Sequence, residues 1–281
     1  MKQTMMIISL FVWSVLTVSA DLLVYEGFNY GDLTNFEHNT ANSSAAGGTG
    51  LSTSGWRQYN ATVSTAGLVE TSAGSYAPSW LDSTNGYMKI NGGGAGNTWA
   101  FRSLASPIAT HVDTTYYFSF VLRNQDSSGI STDGAKLVFR AGDGSTILYA
   151  GFTDTEALCL KAGSSSQVNG STLFDSAAAV TLVGKVTLSA SGSDTVSVSA
   201  FTGASGPGSE PVSWDLTSSA EFNWWQIAEL GLNVNGGNSE VDFDEIRLGT
   251  TFDDVLPIPE PATLGLLGIG AAALWRLKVR R

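Results

Sequence analysis

Val186-Thr187-Leu188-Ser189-Ala190-Ser191-Gly192-Ser193-Asp194-Thr195-Val196-Ser197-Val198-Ser199-Ala200 decides the fold of this chain. Val186, Leu188 and Ala190 alternate with Thr187 and Ser189, the Ser191 to Asp194 stretch turns the chain, and Val196, Val198 and Ala200 then alternate with serines. Side chains on a strand point to opposite faces with a period of two, so both arms have one face for a core and one for water. The segment predicts an antiparallel hairpin.

Strand signals of the same kind continue in both directions. Tyr116 to Leu122 and Lys136 to Arg140 are rich in aromatic and branched residues, which favour a pleated surface. Leu22 to Tyr25, Trp99 to Arg102, Ile147 to Ala150, Leu158 to Lys161, Trp224 to Leu230 and Val241 to Leu248 read the same way. Glycine-rich connections such as Asn91-Gly92-Gly93-Gly94-Ala95-Gly96-Asn97 separate them. No apolar stripe of helical period persists between residues 21 and 256. Many short strands without alternating helices predict an all-β fold of two packed antiparallel sheets.

The two ends read as targeting segments. Residues 1–20 carry Lys2, then an apolar run from Met5 to Val18, then Ser19-Ala20. One charge, an apolar stretch and small residues make a secretory signal peptide, so the mature chain is expected to begin at Asp21. Residues 257–281 start with Pro257-Ile258-Pro259-Glu260-Pro261, continue in an apolar run from Ala262 to Trp275, and end with Arg276, Lys278, Arg280 and Arg281. The prolines forbid a regular helix before Ala262. The apolar run with basic residues behind it predicts a short transmembrane helix with its charged end cytoplasmic and Arg276 snorkelling.

This tail resembles the PEP-CTERM sorting signal, whose proline motif, apolar stretch and basic cluster correspond here to Pro259-Glu260-Pro261, residues 262–275 and the residues from Arg276 on. The resemblance implies a Gram-negative bacterium that makes exopolysaccharide, and an exosortase-type membrane protease as partner. It implies a precursor anchored in the inner membrane by its C-terminal helix, then delivery to the cell surface or extracellular matrix. It covers the address and leaves the chemistry of the passenger open.

Residues 21–256 form the expected passenger domain, with 24 acidic and 9 basic residues and a balance of −15. That surface repels nucleic acid and anionic lipid. Cys159 is the sole cysteine, so the domain has no internal disulfide; between Leu158 and Leu160 it reads as a buried filler. Tyr25-Glu26-Gly27-Phe28-Asn29-Tyr30, Tyr117-Phe118-Ser119-Phe120 and Val241 to Thr250 are similar to segments of concanavalin A-like, or laminin-G-like, jelly-roll domains. That resemblance implies first and last strands lying close together, in a fold that hosts carbohydrate binders, adhesion modules and hydrolases alike.

Glu240-Val241-Asp242-Phe243-Asp244-Glu245 resembles the Glu-x-Asp-x-x-Glu signature of family 16 endo-beta-glucanases. The resemblance would make Glu240 the nucleophile, Asp242 its orienting partner and Glu245 the general acid. Retaining hydrolysis needs two carboxyls about 5 to 5.5 Å apart. On a regular strand Glu245 faces away from the other two; a bulge would bring it back. The apolar phase does change, from Val241 and Phe243 to Ile246 and Leu248, so a bulge at Asp244-Glu245 is expected whether or not it serves catalysis. Clustered carboxylates also suit calcium, with Glu26, Asp242 and Asp244 as the candidate ligands. His38 and His111 belong to no metal motif.

The expected function is non-catalytic: an exported surface protein that binds carbohydrate or exopolysaccharide. A structural surface protein without ligand and a family 16-like hydrolase are the alternatives. Sugars dock on exposed aromatic faces, for which Trp56, Trp80, Trp99 and Trp225 are the candidates. Trp224-Trp225 is informative because neighbours on a strand face opposite ways, so one of the two should reach the surface.

Overall fold

The computed structural model describes residues 21–30, 33, 41–60, 69–72, 75, 77–78, 81, 86–91, 97–125, 134–173, 178–203, 206–235 and 240–256. The signal-peptide reading of residues 1–20 and the sorting-segment reading of 257–281 lie outside them. The first strands are β1 (Leu22–Glu26), β2 (Ala41–Asn42), β3 (Trp56–Asn60), β4 (Val69–Ser72), β5 (Tyr87–Asn91), β6 (Asn97–Ala109), β7 (Thr114–Asn124) and β8 (Gly134–Arg140). They continue with β9 (Thr146–Phe152), β10 (Ala157–Ala162), β11 (Val168–Leu173), β12 (Val180–Leu188), β13 (Asp194–Thr202), β14 (Leu216–Ala220), β15 (Gln226–Asn235) and β16 (Glu240–Gly249).

These strands make two antiparallel sheets. The first runs β14-β13-β12-β7-β16-β5-β4, with β1 also on β16; the second runs β11-β10-β9-β8-β15-β6-β3-β2. The predicted hairpin is the β12–β13 pair, in which Val186 lies opposite Val196, and both are buried in the core between the sheets. The first strand pairs with the last, Tyr25 opposite Arg247 and Glu26 opposite Ile246. The strand expected from Trp224 begins instead at Gln226, after a bend that carries both tryptophans.

β16 is the central strand of the first sheet, and its phase change is a bulge. Against β7, Asp244 pairs with Val121 and Arg247 with Ser119, so one residue is extra, and Glu245 takes it up with a φ of 51°. Val241, Phe243, Ile246 and Leu248 all reach the inter-sheet core in consequence. The acidic residues between them are left on the outer face. That face is itself covered: a helical turn, α1 (Phe252–Val255), packs with Leu256 and Leu81 on Tyr117, Val121 and Val183. Its start is held by a capping box between Thr251 and Asp254, and the Ser119 hydroxyl donates to the Val255 carbonyl at 2.6 Å.

The fold class expected from sequence needs one correction. Among the described residues no helix is long and apolar enough to cross a membrane; α1 has four residues. The apolar run from 262 to 275 would extend only about 21 Å as a helix, against a hydrocarbon core of about 30 Å. Over the described residues the protein is therefore an antiparallel β-sandwich with no helix able to cross a membrane, and the expected C-terminal transmembrane helix, with the inner-membrane-anchored precursor it implied, finds no support there.

Candidate functional site

The bulge brings Glu240, Asp242 and Glu245 to one side of β16, yet each is engaged. Glu240, at the strand's start, lies 3.5 Å from the Lys89 ammonium. Glu245 is fully buried; it accepts from the Tyr25 hydroxyl at 3.2 Å and from Arg247 at 2.9 Å, and the Arg247 guanidinium lies over the Tyr25 ring. A general acid must reach a glycosidic oxygen, and in this structure the Glu245 carboxyl meets its own arginine instead. Asp242 is buried as well, and burial pushes its carboxyl up to about 7, against the opposing effect of the Gln125 amide that donates to it at 2.6 Å. Its second oxygen, Oδ1, is enclosed without a hydrogen-bond partner. The Ser75 hydroxyl donates to Asp244 at 2.7 Å. Asp242, Asp244 and Glu245 are thus buried on this strand, and Glu240 at its start is half-buried.

The calcium set is divided by the sheet. Asp242 and Asp244 face outward, whereas Glu26 faces the space between the sheets. There its carboxylate meets Arg102 of β6 at 2.6 Å, each side chain 1% exposed. It also accepts from the Trp56 indole at 3.0 Å, the Phe28 N–H at 2.8 Å and the Tyr30 hydroxyl. Burial and the Glu26 charge raise the Tyr30 phenol well above its ordinary range, so it remains a donor. Arg102 spends its other N–H groups on the Ser52 carbonyl, at 2.8 and 3.3 Å, and on Tyr30. Among the described residues no three Asp, Glu, His or Cys side chains converge as metal ligands. Trp56 is part of this interior network, fully buried, and offers no face to a ligand.

The remaining tryptophan candidates separate cleanly. Trp80 lies outside the described residues. Trp99 is half-buried and stacks on Phe101 at 5.3 Å. Trp225 is 78% exposed, while Trp224 packs inward against the core. The exposed indole is not loose. The His111 ring lies 4.5 Å from it, the Thr110 N–H donates to the Trp225 carbonyl at 3.0 Å, and the Thr110 hydroxyl donates to the Trp224 carbonyl. Val112, next in the chain, is exposed too. Beside this platform a cleft of about 350 Å³ opens between the sheets, walled by Leu23, Val24, Pro107, Ile108, Ala109 and Tyr116.

Sequence reasoning named Trp225 but missed His111 and Tyr116, because their value lies in contact with residues far along the chain. The cleft exists because β6 departs from β15. Ser103 pairs with Glu229, but the next paired residue, Ile108, faces Ile227, so Leu104 to Pro107 swing away from the sheet.

One other polar cluster and one buried thiol lie apart from this cleft's lining. Tyr117 and Lys185 both bond Glu210, at 2.8 and 2.7 Å, with the Tyr117 ring edge-on to Phe252. Burial and the bond to Glu210 raise the Tyr117 phenol, the wrong direction for a base. Cys159 is fully buried, and burial pushes its thiol up to about 12, which leaves it unreactive at neutral pH.

Fold and site define a two-sheet β-sandwich with an aromatic platform and an apolar cleft at one end. The family model described as the PEP-CTERM protein-sorting motif matches residues 257–281, so the chain carries a sorting signal of that kind. No curated protein matches the chain. Among solved structures it is similar to a sialidase (11% identity, 72% of this chain and 17% of that one, TM-score 0.43). It is also similar to an endo-beta-1,4-glucuronan lyase from Trichoderma reesei (12%, 84% and 99%, TM-score 0.43). A third is the VIP36 exoplasmic/lumenal domain bound to Ca2+ and Man3GlcNAc (11%, 70% and 83%, TM-score 0.39). At these values the likenesses carry no argument about ligand or chemistry.

Proposed function

We propose that this is an exported surface protein whose β-sandwich, of the lectin-like kind, binds extracellular carbohydrate at the Trp225 end and does not hydrolyse it. The exposure of Trp225 carries the reading. An indole 78% open to water, with the exposed Val112 one residue from its neighbour His111, makes an exposed apolar feature suited to a partner, and the His111 ring contact and the Thr110 bond to its backbone position it. A fixed aromatic face stacks on the apolar face of a pyranose ring with little ordering entropy to lose. The non-catalytic half of the reading is supported by Asp242 and Glu245, which are buried in bonds of their own. The sorting signal over 257–281 supports an exosortase-type protease as the processing partner and an exopolysaccharide-rich surface as the setting.

A glycan array probed with the purified protein tests the binding reading. Glycan signals that fall at least tenfold in Trp225→Ala, with the thermal midpoint unchanged, are expected. No signal on any glycan, or one indifferent to Trp225→Ala, would refute it.

A further inference from the structure

The cleft beside Trp225 has a chemistry that narrows the ligand. No Lys, Arg, Asp, Glu or His is among its described lining residues, and the side-chain polar atoms there are the hydroxyls of Ser106 and Tyr116. Pro107, at the exposed rim, has no N–H to offer. A sugar ring placed inside would find few side-chain partners, at a cost on the order of tenfold in affinity for each hydroxyl left unpaired. A small apolar substituent loses nothing there. The volume, about 350 Å³, is at the lower end for ligand pockets.

Position ties the cleft to the platform. Ala109 forms part of its wall and pairs with Gln226, the residue after Trp225. Two residues beyond Ala109, where the chain bends from Thr110, the His111 ring lies 4.5 Å from the Trp225 ring. Charge selects further: the −15 balance of residues 21–256 disfavours uronate, sulfate or pyruvate groups, so the glycan that suits both features is neutral.

We propose that the cleft is a subsite for the O-acetyl group of a neutral acetylated polysaccharide whose ring stacks on Trp225. This rests on the platform reading above. The acetyl carbonyl can accept from the Ser106 or Tyr116 hydroxyl at the rim, and the methyl enters the apolar interior.

The test uses the purified full chain with O-acetylated glucomannan and the same material after alkaline deacetylation, measured by affinity electrophoresis and calorimetry. The acetylated form should bind about tenfold more tightly. Ala105→Phe, which projects into the cleft from an exposed position, should remove that preference, and Ala109→Phe provides a second variant should the first fail to fold. Equal binding of both forms, lost in Trp225→Ala, would overturn the subsite and leave the platform standing. A preference that survives in both folded cleft variants would also overturn it. Binding of neither form by a protein that gives Trp225-dependent signals on the glycan array would overturn the subsite alone, and binding of neither form with a blank array would overturn subsite and platform together.

Discussion

Removing one partner of the Glu26–Arg102 pair should cost the domain a large share of its stability. Both side chains are 1% exposed and 2.6 Å apart, and the pair joins β1 of one sheet to β6 of the other. In Arg102→Met the Glu26 carboxylate loses its cation but retains donors from Phe28, Trp56 and Tyr30. In Glu26→Gln the guanidinium retains the Ser52 carbonyl, the Tyr30 oxygen and at most one neutral amide oxygen, and is left buried without a counter-charge. Breaking a buried pair from one side costs about 3–5 kcal/mol. Arg102→Met belongs near the lower end, because three donors still solvate the remaining charge. Against a total of roughly 5–15 kcal/mol, and at about 2–4 °C per kcal/mol for a domain of this size, the midpoint should fall by roughly 6–20 °C. Thermal melting measures the midpoint and urea titration the free-energy loss, both read by tryptophan fluorescence with Trp56 in the network as a reporter. The double variant Glu26→Gln/Arg102→Met should lose less than the two single losses together, by about 2 kcal/mol. Single losses below about 1 kcal/mol, or losses that simply add, would refute the assignment of a coupled buried network.

Three further outcomes follow from other features. Asp242 has a folded-state value near 7, raised from 3.8, so the native state holds a proton that the unfolded chain has lost between those limits. Stability should therefore decline as pH rises from about 4 to about 7, by up to about 4 kcal/mol, and then level off. Asp242→Asn should flatten that part of the profile in urea midpoints at pH 4, 5.5 and 8, and an identical slope in both proteins would exclude Asp242 as its source. Gly50→Ala should destabilise by more than about 2 kcal/mol, since its φ is 71° and an added Cβ would lie 1.7 Å from the Leu23 carbonyl oxygen; a calorimetric midpoint within 2 °C of the parent would contradict this. The purified protein should release no sugar from laminarin or lichenan, and product formation that disappears in Glu240→Gln would reverse the non-catalytic reading.

How much was legible in the sequence depended on whether a feature was local. The alternation from Val186 to Ala200 foretold the hairpin, because a strand's period marks its two faces wherever the strand sits. The shift from Val241 and Phe243 to Ile246 and Leu248 located the bulge at Glu245 for the same reason. The burial of Cys159 followed from its apolar neighbours.

Periodicity assigns a side chain to a face, but only packing decides whether that face is open. The acidic residues of β16 read in the sequence as candidate catalytic or calcium-binding groups, yet Asp242, Asp244 and Glu245 are buried, alongside the second core that α1 and Leu81 build on the same sheet. Glu26 reads as a metal ligand until Arg102, 76 residues away, appears opposite it across the core. Trp56 and Trp225 are equal candidates for a ligand face in the sequence, and one is interior while the other is 78% exposed. Sequence alone determined the all-β class, the hairpin and the strand phase, since these arise from neighbouring residues and backbone geometry. Tertiary structure alone decided which carboxylates are locked and which aromatic ring meets water, since both depend on what distant segments pack against them.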